Sequence, residues 1–249
     1  QLQSEKVNID QVTIDADHPT GFQLKSKVLE GDPEVQYFRK GSAASYLNTA
    51  DFDEEYFRTA RHLHMTGIPL AISRSMREFA KHAQSFMKKE GKTVSFDPNL
   101  RPSLWKSKEE MVSVINEVAF ESDYFLPGIH EGELLTGFTQ PGDIADFYLD
   151  RGVELVVVKL GSKGAFYKCR SDEGYVAGFP VSKVVDTVGA GDGFAVGVIS
   201  GLLEGLSIRD AVLRGNAIGA LAVQSTGDSD GYPTRQGLEQ FIEKFARRS

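Results

Sequence analysis

Apolar residues along this chain recur in two rhythms, one of period two and one near 3.6, and their alternation is the first evidence of its architecture. Residues 20–30 and 34–40, TGFQLKSKVLE and EVQYFRK, read as two amphipathic strands. The Gly31-Asp32-Pro33 between them is a hairpin signal, so a small sheet is expected ahead of the main pattern. From about residue 60 strands and helices take turns. HLHMT at 62–66 predicts a short strand, and the segment 73–90 sets Met76, Phe79, Ala80, Ala83, Phe86 and Met87 on one helical stripe. TVSFD at 93–97 is a strand, and Ser107 with Glu110 forms a capping-box pattern opening a helix through Met111, Val112, Ile115 and Val118. DYFLP at 123–127, a helix near 143–151 and ELVVVK at 154–159 continue the series. AFYKC and EGYVAGF predict an antiparallel hairpin, and VSKVVDT at 181–187 predicts a further strand. Helices over Gly193–Leu203, near 207–225 and near 234–247 close the pattern.

Such alternation predicts an α/β fold with a mostly parallel sheet and right-handed crossovers. Ligands then bind off the carboxyl ends of the strands, which here are Gly67, Asp97, Pro127-Gly128, Lys159 and Asp186. No repeat or linker divides the 249 residues, so one domain is expected, with its lid strands inside about 20–40. Composition narrows the partners. A net charge of −7 without a long basic run argues against a nucleic-acid backbone partner. No apolar stretch approaches a membrane span. The single cysteine, Cys169, excludes an intrachain disulfide and suits a reducing, cytoplasmic setting.

The most informative chemistry is DTVGAGDGF at 186–194. Gly189, Ala190 and Gly191 are too small to keep a ligand from the backbone, and Asp192 heads the apolar helix that follows. A glycine-rich turn opening a helix offers unpaired N–H groups and the positive dipole end, which receive phosphate. A carboxylate beside it can take a proton from a hydroxyl attacking a phosphoryl group. An ordinary structural turn with Asp in its first helical turn is the competing reading. Neither GxxxxGK[ST] nor GxGxxG is present.

Four other places carry candidate groups. In Asp97-Pro98-Asn99-Leu100-Arg101-Pro102 the prolines stiffen a loop presenting Asn99 and Arg101, either to an anion or simply to solvent. Glu131 and Glu133 follow the strand DYFLP and either hold a magnesium-bound water or form the acidic first turn of a helix. Lys159-Leu160-Gly161-Ser162-Lys163-Gly164 lets backbone approach a nucleotide, or is a plain hairpin turn. Tyr37 and Arg39, two apart on a strand, share a face that suits a small anionic polyol or is an ordinary exposed strand. The histidines at 18, 62, 64, 82 and 130 complete no metal set and read as structural.

At this point the chain resembles a known family. DTVGAGDGFAVGVISGLLEG is similar to the C-terminal signature of the ribokinase-like (PfkB) carbohydrate kinases. VVVKLGSKGAFY resembles their nucleotide-loop strand, GIHEGELLTG their acidic metal-associated motif, and NAIGALAVQSTGDSDGYPT their closing helix and loop. YFRKGSAAS, FDPNLRPSLW and LHMTGIPLAI look like the 2-keto-3-deoxygluconate kinases within it. The resemblance implies a three-layer α/β/α fold with a small β-clasp lid, and ATP- and Mg2+-dependent phosphorylation of a sugar-acid hydroxyl. It implies Asp192 as general base and Gly189, Ala190 and Gly191 as the anion hole. Tyr37, Arg39 and Arg101 would hold substrate, Asn99, Lys159, Gly161, Ser162, Gly164 and Asn216 would serve ATP, and Glu131 would act on magnesium through water. A homo-oligomer through the lid sheet is also implied. Other kinases of the family, for fructose, ribose or a nucleoside, and an inactive nucleotide-binding fragment are the alternatives; Arg39 and Arg101 favour an acidic substrate.

Two departures accompany the match. The family's first strand and its Gly-Gly-Ala/Asn substrate motif do not occur after Gln1, so an N-terminal region carrying them is expected to precede it. Gly128 stands where the acidic motif usually begins with Asn.

Overall fold

The computed structural model describes residues 2–26, 35–227 and 229–246. Two strands, β1 (Phe22–Lys25) and β2 (Val35–Phe38), pair antiparallel with Phe22 opposite Phe38. The expected turn at Gly31-Asp32-Pro33 lies outside the described residues. After α1 (Glu54–Thr59) come β3 (His62–Thr66), α2 (Ile68–Ile72), α3 (Arg74–Lys89) and β4 (Thr93–Asp97). These are followed by α4 (Lys108–Phe120), β5 (Tyr124–Phe125), α5 (Ile129–Thr136), α6 (Pro141–Leu149) and β6 (Leu155–Lys159). The hairpin β7 (Gly164–Cys169) and β8 (Glu173–Ala177) precedes α7 (Ala190–Leu203), α8 (Ile208–Ala222) and α9 (Arg235–Ala246).

Strands β3 to β8 form one sheet in sequence order, parallel from β3 to β6 and antiparallel from β6 to β8. Its two faces bury different partners. On one, Met65, Phe96, Phe125, Val156 and Val158 pack against Met87, Ile115 and Tyr148 from α3, α4 and α6. On the other, Leu155, Val157, Ala165 and Val176 meet Phe194, Val198 and Val212 of α7 and α8. This is the three-layer arrangement that the family resemblance implies, and LVVV in β6 is buried on both sides because helices cover both. Small residues let α7 and α8 approach closely, since a Cβ on Gly197 would stand 2.5 Å from the Gly215 Cα.

The sharpest disagreement with the sequence reading is at 181–187, which forms no strand. Its β-branched residues face outward, with Val184 58% and Val185 41% exposed. The Val185 and Asp186 N–H groups both donate to the Val223 carbonyl at the end of α8, at 2.7 and 3.3 Å. Propensity favoured extension there, but a strand also needs a neighbour to complete its ladder.

Candidate active site

Asp97, Lys159 and the first turn of α7 converge off the carboxyl ends of the parallel strands. The turn owes its shape to Gly189, whose φ of 82° places it in the left-handed region that a side chain disfavours. The Tyr232 hydroxyl donates to the Gly189 carbonyl at 2.7 Å, pinning the turn from the loop before α9. The Val188 N–H is taken by Asp186 Oδ1 at 3.0 Å. Asp192 follows in the first helical turn and is exposed, so its carboxylate is open to a ligand.

Lys159 ends the apolar strand β6 and reaches Asp97 Oδ2 at 2.6 Å. Both groups are largely withdrawn from water, the side chains being 18% and 3% exposed. Burial opposes the lysine's charge, but Asp97, Glu131 and Asp192 together raise its pKa above the ordinary value, so the ammonium persists. Its Nζ lies 4.0 Å from where a Cβ on Gly191 would be. A positive charge, the exposed amides of a helix N-terminus and a carboxylate therefore meet at one corner.

A cavity of about 680 Å³ opens from that corner. Lys159, Gly161, Ser162, Gly164 and Asn216 line its polar side, and Phe179, Val184, Ala220 and Val223 contribute its apolar wall. The loop is tightly built. Gly164 has φ +100°, and a Cβ there would stand 2.0 Å from the Val176 carbonyl oxygen. The Asn216 amide donates to the Val176 and Ala177 carbonyls at 3.0 and 3.2 Å, so it ties α8 to β8 while bordering the cavity. Asn99 does not line this cavity. It occupies φ 37° after its N–H is captured by Asp97 Oδ1 at 3.1 Å, a conformation Asn tolerates better than most residues.

Glu131 caps α5. Its Oε2 accepts the Gly128 N–H at 2.7 Å and its Oε1 accepts the Leu100 N–H at 2.8 Å, fastening the Asn99–Arg101 loop to the helix. A Cβ at Gly128 would lie 3.2 Å from Glu131 Oε2, so glycine leaves this cap uncrowded. Among the described residues no three His, Cys, Asp or Glu side chains gather into a metal-binding set. Magnesium fits such a place only in the way it commonly binds, through waters and substrate phosphates, and each Glu131 oxygen retains a lone pair for a water. Glu133 is exposed and 3.9 Å from His130, away from these contacts.

Just after β2 the Arg39 guanidinium lies over the ring of Tyr37 in that strand, 4.0 Å from its centroid. Arg39 Nη1 is buried without a hydrogen-bond partner among the described residues. Burial, with the like charge of Arg101, lowers its pKa. Two like charges that feel each other in a partly dry space would be stabilised by an anion between them.

A model of the pfkB family carbohydrate kinases matches residues 1–235. The chain belongs to that family. It is 56% identical over 243 residues to 2-dehydro-3-deoxygluconokinase of Bacillus subtilis (strain 168), covering 97% of this chain and 75% of that protein. It is 33% identical to 5-dehydro-2-deoxygluconokinase of Clostridium perfringens (strain 13 / Type A), covering 86% of this chain and 64% of that protein. Its structure matches a PfkB protein from Polaromonas sp. JS666 with TM-score 0.87 at 49% identity, covering 96% of this chain and 76% of that one. A putative Ribokinase II from E. coli, solved with ATP and Mg2+, matches with TM-score 0.89 at 29% identity, covering 98% and 77%. The fold is ribokinase-like.

In this kinase the residues singled out from sequence fall into four groups: the Gly189–Asp192 turn, the cavity with Lys159, Gly161, Ser162, Gly164 and Asn216, the loop and cap with Asn99 and Glu131, and Tyr37 with Arg39 and Arg101. Asp97, Tyr232 and Phe179 received no binding role from sequence. The one usable signal was Lys159 itself, since a cation ending an all-apolar strand requires a buried carboxylate.

Proposed function

We propose that this kinase transfers the γ-phosphoryl group of ATP to the terminal hydroxyl of 2-keto-3-deoxygluconate, giving the 6-phosphate and ADP. The observation that carries the reading is Asp192 at the mouth of the α7 turn, with the Lys159 ammonium against Gly191 and the cavity beside it. Asp192 accepts the hydroxyl proton as the oxygen–phosphorus bond forms and the bond to ADP breaks. The amides of Gly189, Ala190, Gly191 and Asp192, with Lys159, receive the charge on the transferring group. Gly161, Ser162, Gly164 and Asn216 border the nucleotide, and Asn99 acts from the neighbouring loop. Mg2+ bound with ATP supplies charge neutralisation, with Glu131 holding one of its waters. Dependence on ATP, together with the lone free cysteine Cys169, supports a cytoplasmic enzyme.

Arg39 and Arg101, with Tyr37, hold the substrate carboxylate. An ADP-release assay against 2-keto-3-deoxygluconate, 5-dehydro-2-deoxygluconate, fructose, ribose and adenosine tests this. The 2-keto acid should lead the neutral sugars in kcat/KM by about 100-fold, the worth of one or two charge-assisted hydrogen bonds. Arg101→Leu should raise its KM by about tenfold or more while narrowing that preference. A neutral sugar as best substrate would overturn the assignment.

The outer face of the lid supports a homodimer. Phe22, Leu24 and Phe38 are 55%, 57% and 39% exposed, and the two phenylalanine rings stack at 4.6 Å. Light scattering should give twice the chain mass, and Phe22→Glu should halve it; a monomer in the parent protein rejects this arrangement.

A further inference from the structure

Parallel pairing of β3 with β4 sets His62 opposite Thr93, His64 opposite Ser95 and Thr66 opposite Asp97, all on one sheet face. These side chains are linked. His62 Nδ1 meets Thr93 Oγ1, His62 Nε2 meets Ser95 Oγ, and His64 Nδ1 meets the same Ser95 Oγ, each at 2.7 Å. Ser95 is fully buried, and its hydroxyl has one proton for two ring nitrogens. It therefore donates to one ring and accepts from the other. When His64 gains a proton, Ser95 accepts from His64 Nδ1 and turns its own proton to His62 Nε2, so the chain stays intact.

His64 is the end of this chain nearest the phosphoryl corner. Asp97 is two residues further along β4 on the same face, about 7 Å away by strand rise. Among the described residues, the charged or titratable groups around His64 are His62 from its own strand, Asp97 from β4, Lys159 from β6 and Asp192 from α7, with Tyr124 of β5 opposite Ser95 and stacked on His62 at 6.0 Å. We propose that His64 is a positioning residue for phosphoryl transfer: neutral, it leaves Lys159 paired with Asp97 and poised at Gly191, and protonated, it competes with Lys159 for Asp97 and attracts Asp192 away from the acceptor hydroxyl. Desolvation by the surrounding protein lowers His64 below 6.5, and Lys159 adds to this against the pull of Asp97 and Asp192. Burial, with the like charge of His64, lowers His62 as well, to about 4.

The inference rests on the kinase reading above, and its tests separate the two. In the full protein, kcat/KM should fall on acidification with a midpoint below 6.5. His64→Gln keeps a hydrogen-bonding group beside Ser95 but cannot ionise, and should move this limb to lower pH by about one unit. His82→Gln, whose parent ring stands edge-on to Phe52 at 4.7 Å, should leave the limb in place. Superimposed limbs in the parent and His64→Gln enzymes overturn the proposal. A second measurement needs no variant and no turnover: the NMR titration of the His64 ring should move to higher pH when a non-hydrolysable ATP analogue binds, because its phosphates add negative charge nearby. A ring titration indifferent to bound analogue overturns the role of His64 alone, whereas failure of the analogue to bind overturns the kinase reading with it.

Discussion

Asp192→Asn is expected to lower kcat by about 10²- to 10⁴-fold, the span associated with loss of a positioned general base. The substitution keeps the size and polarity of the side chain and removes its ability to take a proton. Its cost to the fold is small. Asp192 is exposed in the first turn of α7, where its charge favours the helix dipole by only about 0.3–1 kcal/mol. The surrounding structure remains: Gly189 keeps its left-handed turn and its bond from Tyr232, and Lys159 keeps its ion pair with Asp97. ATP affinity by calorimetry should thus stay close to the parent value, or tighten slightly as a negative charge leaves the phosphate site. Turnover within a few-fold of parent would remove Asp192 from the chemistry. Loss of both turnover and binding would instead make it a structural element of the turn.

The sequence made some of this legible and concealed the rest for definable reasons. Period and punctuation located the ends of β4 and β6, so Asp97 and Lys159 could be placed at one edge of the sheet. The Gly189–Asp192 turn was joined to them through a strand at 181–187, ending at Asp186, that does not form. What local pattern does not contain is partnership. Val184 and Val185 have strand propensity yet lie beside a helix end, and no ladder forms. Asp97 and Lys159 are 62 residues apart, and only the pairing of the intervening strands brings them together. Glu131 was open to two readings, and the structure gives it the cap of α5 while leaving each oxygen a lone pair for a water. The histidines of HLHMT read as structural from sequence; their shared bond to Ser95 depends on a register that composition cannot report. Tyr232, at the far end of the chain, closes the turn through a hydroxyl that no motif spacing identifies.

Lys159→Met should be the most destabilising change in the site, costing about 3–5 kcal/mol, because it leaves the buried Asp97 carboxylate without its counter-charge. The methionine fills most of the space of the lysine stem, so lost packing is a minor part. Because the lysine's pKa is raised in the folded state, its stabilising contribution is complete below the unfolded value of 10.5 and is lost only as pH rises through the folded value. The deficit of the variant should consequently be constant from pH 7 to pH 9 in urea-unfolding experiments. The double variant Lys159→Met/Asp97→Asn removes both charges and retains a carbonyl oxygen for the Asn99 N–H, so it should recover most of the lost stability. Activity should not return with it. The ammonium beside Gly191 would still be absent, and with it the fixed charge that meets the transferring phosphoryl group. Equal stability of the single and double variants would contradict the ion pair as the source of the loss. Turnover restored in the double variant would show that Lys159 serves the fold alone.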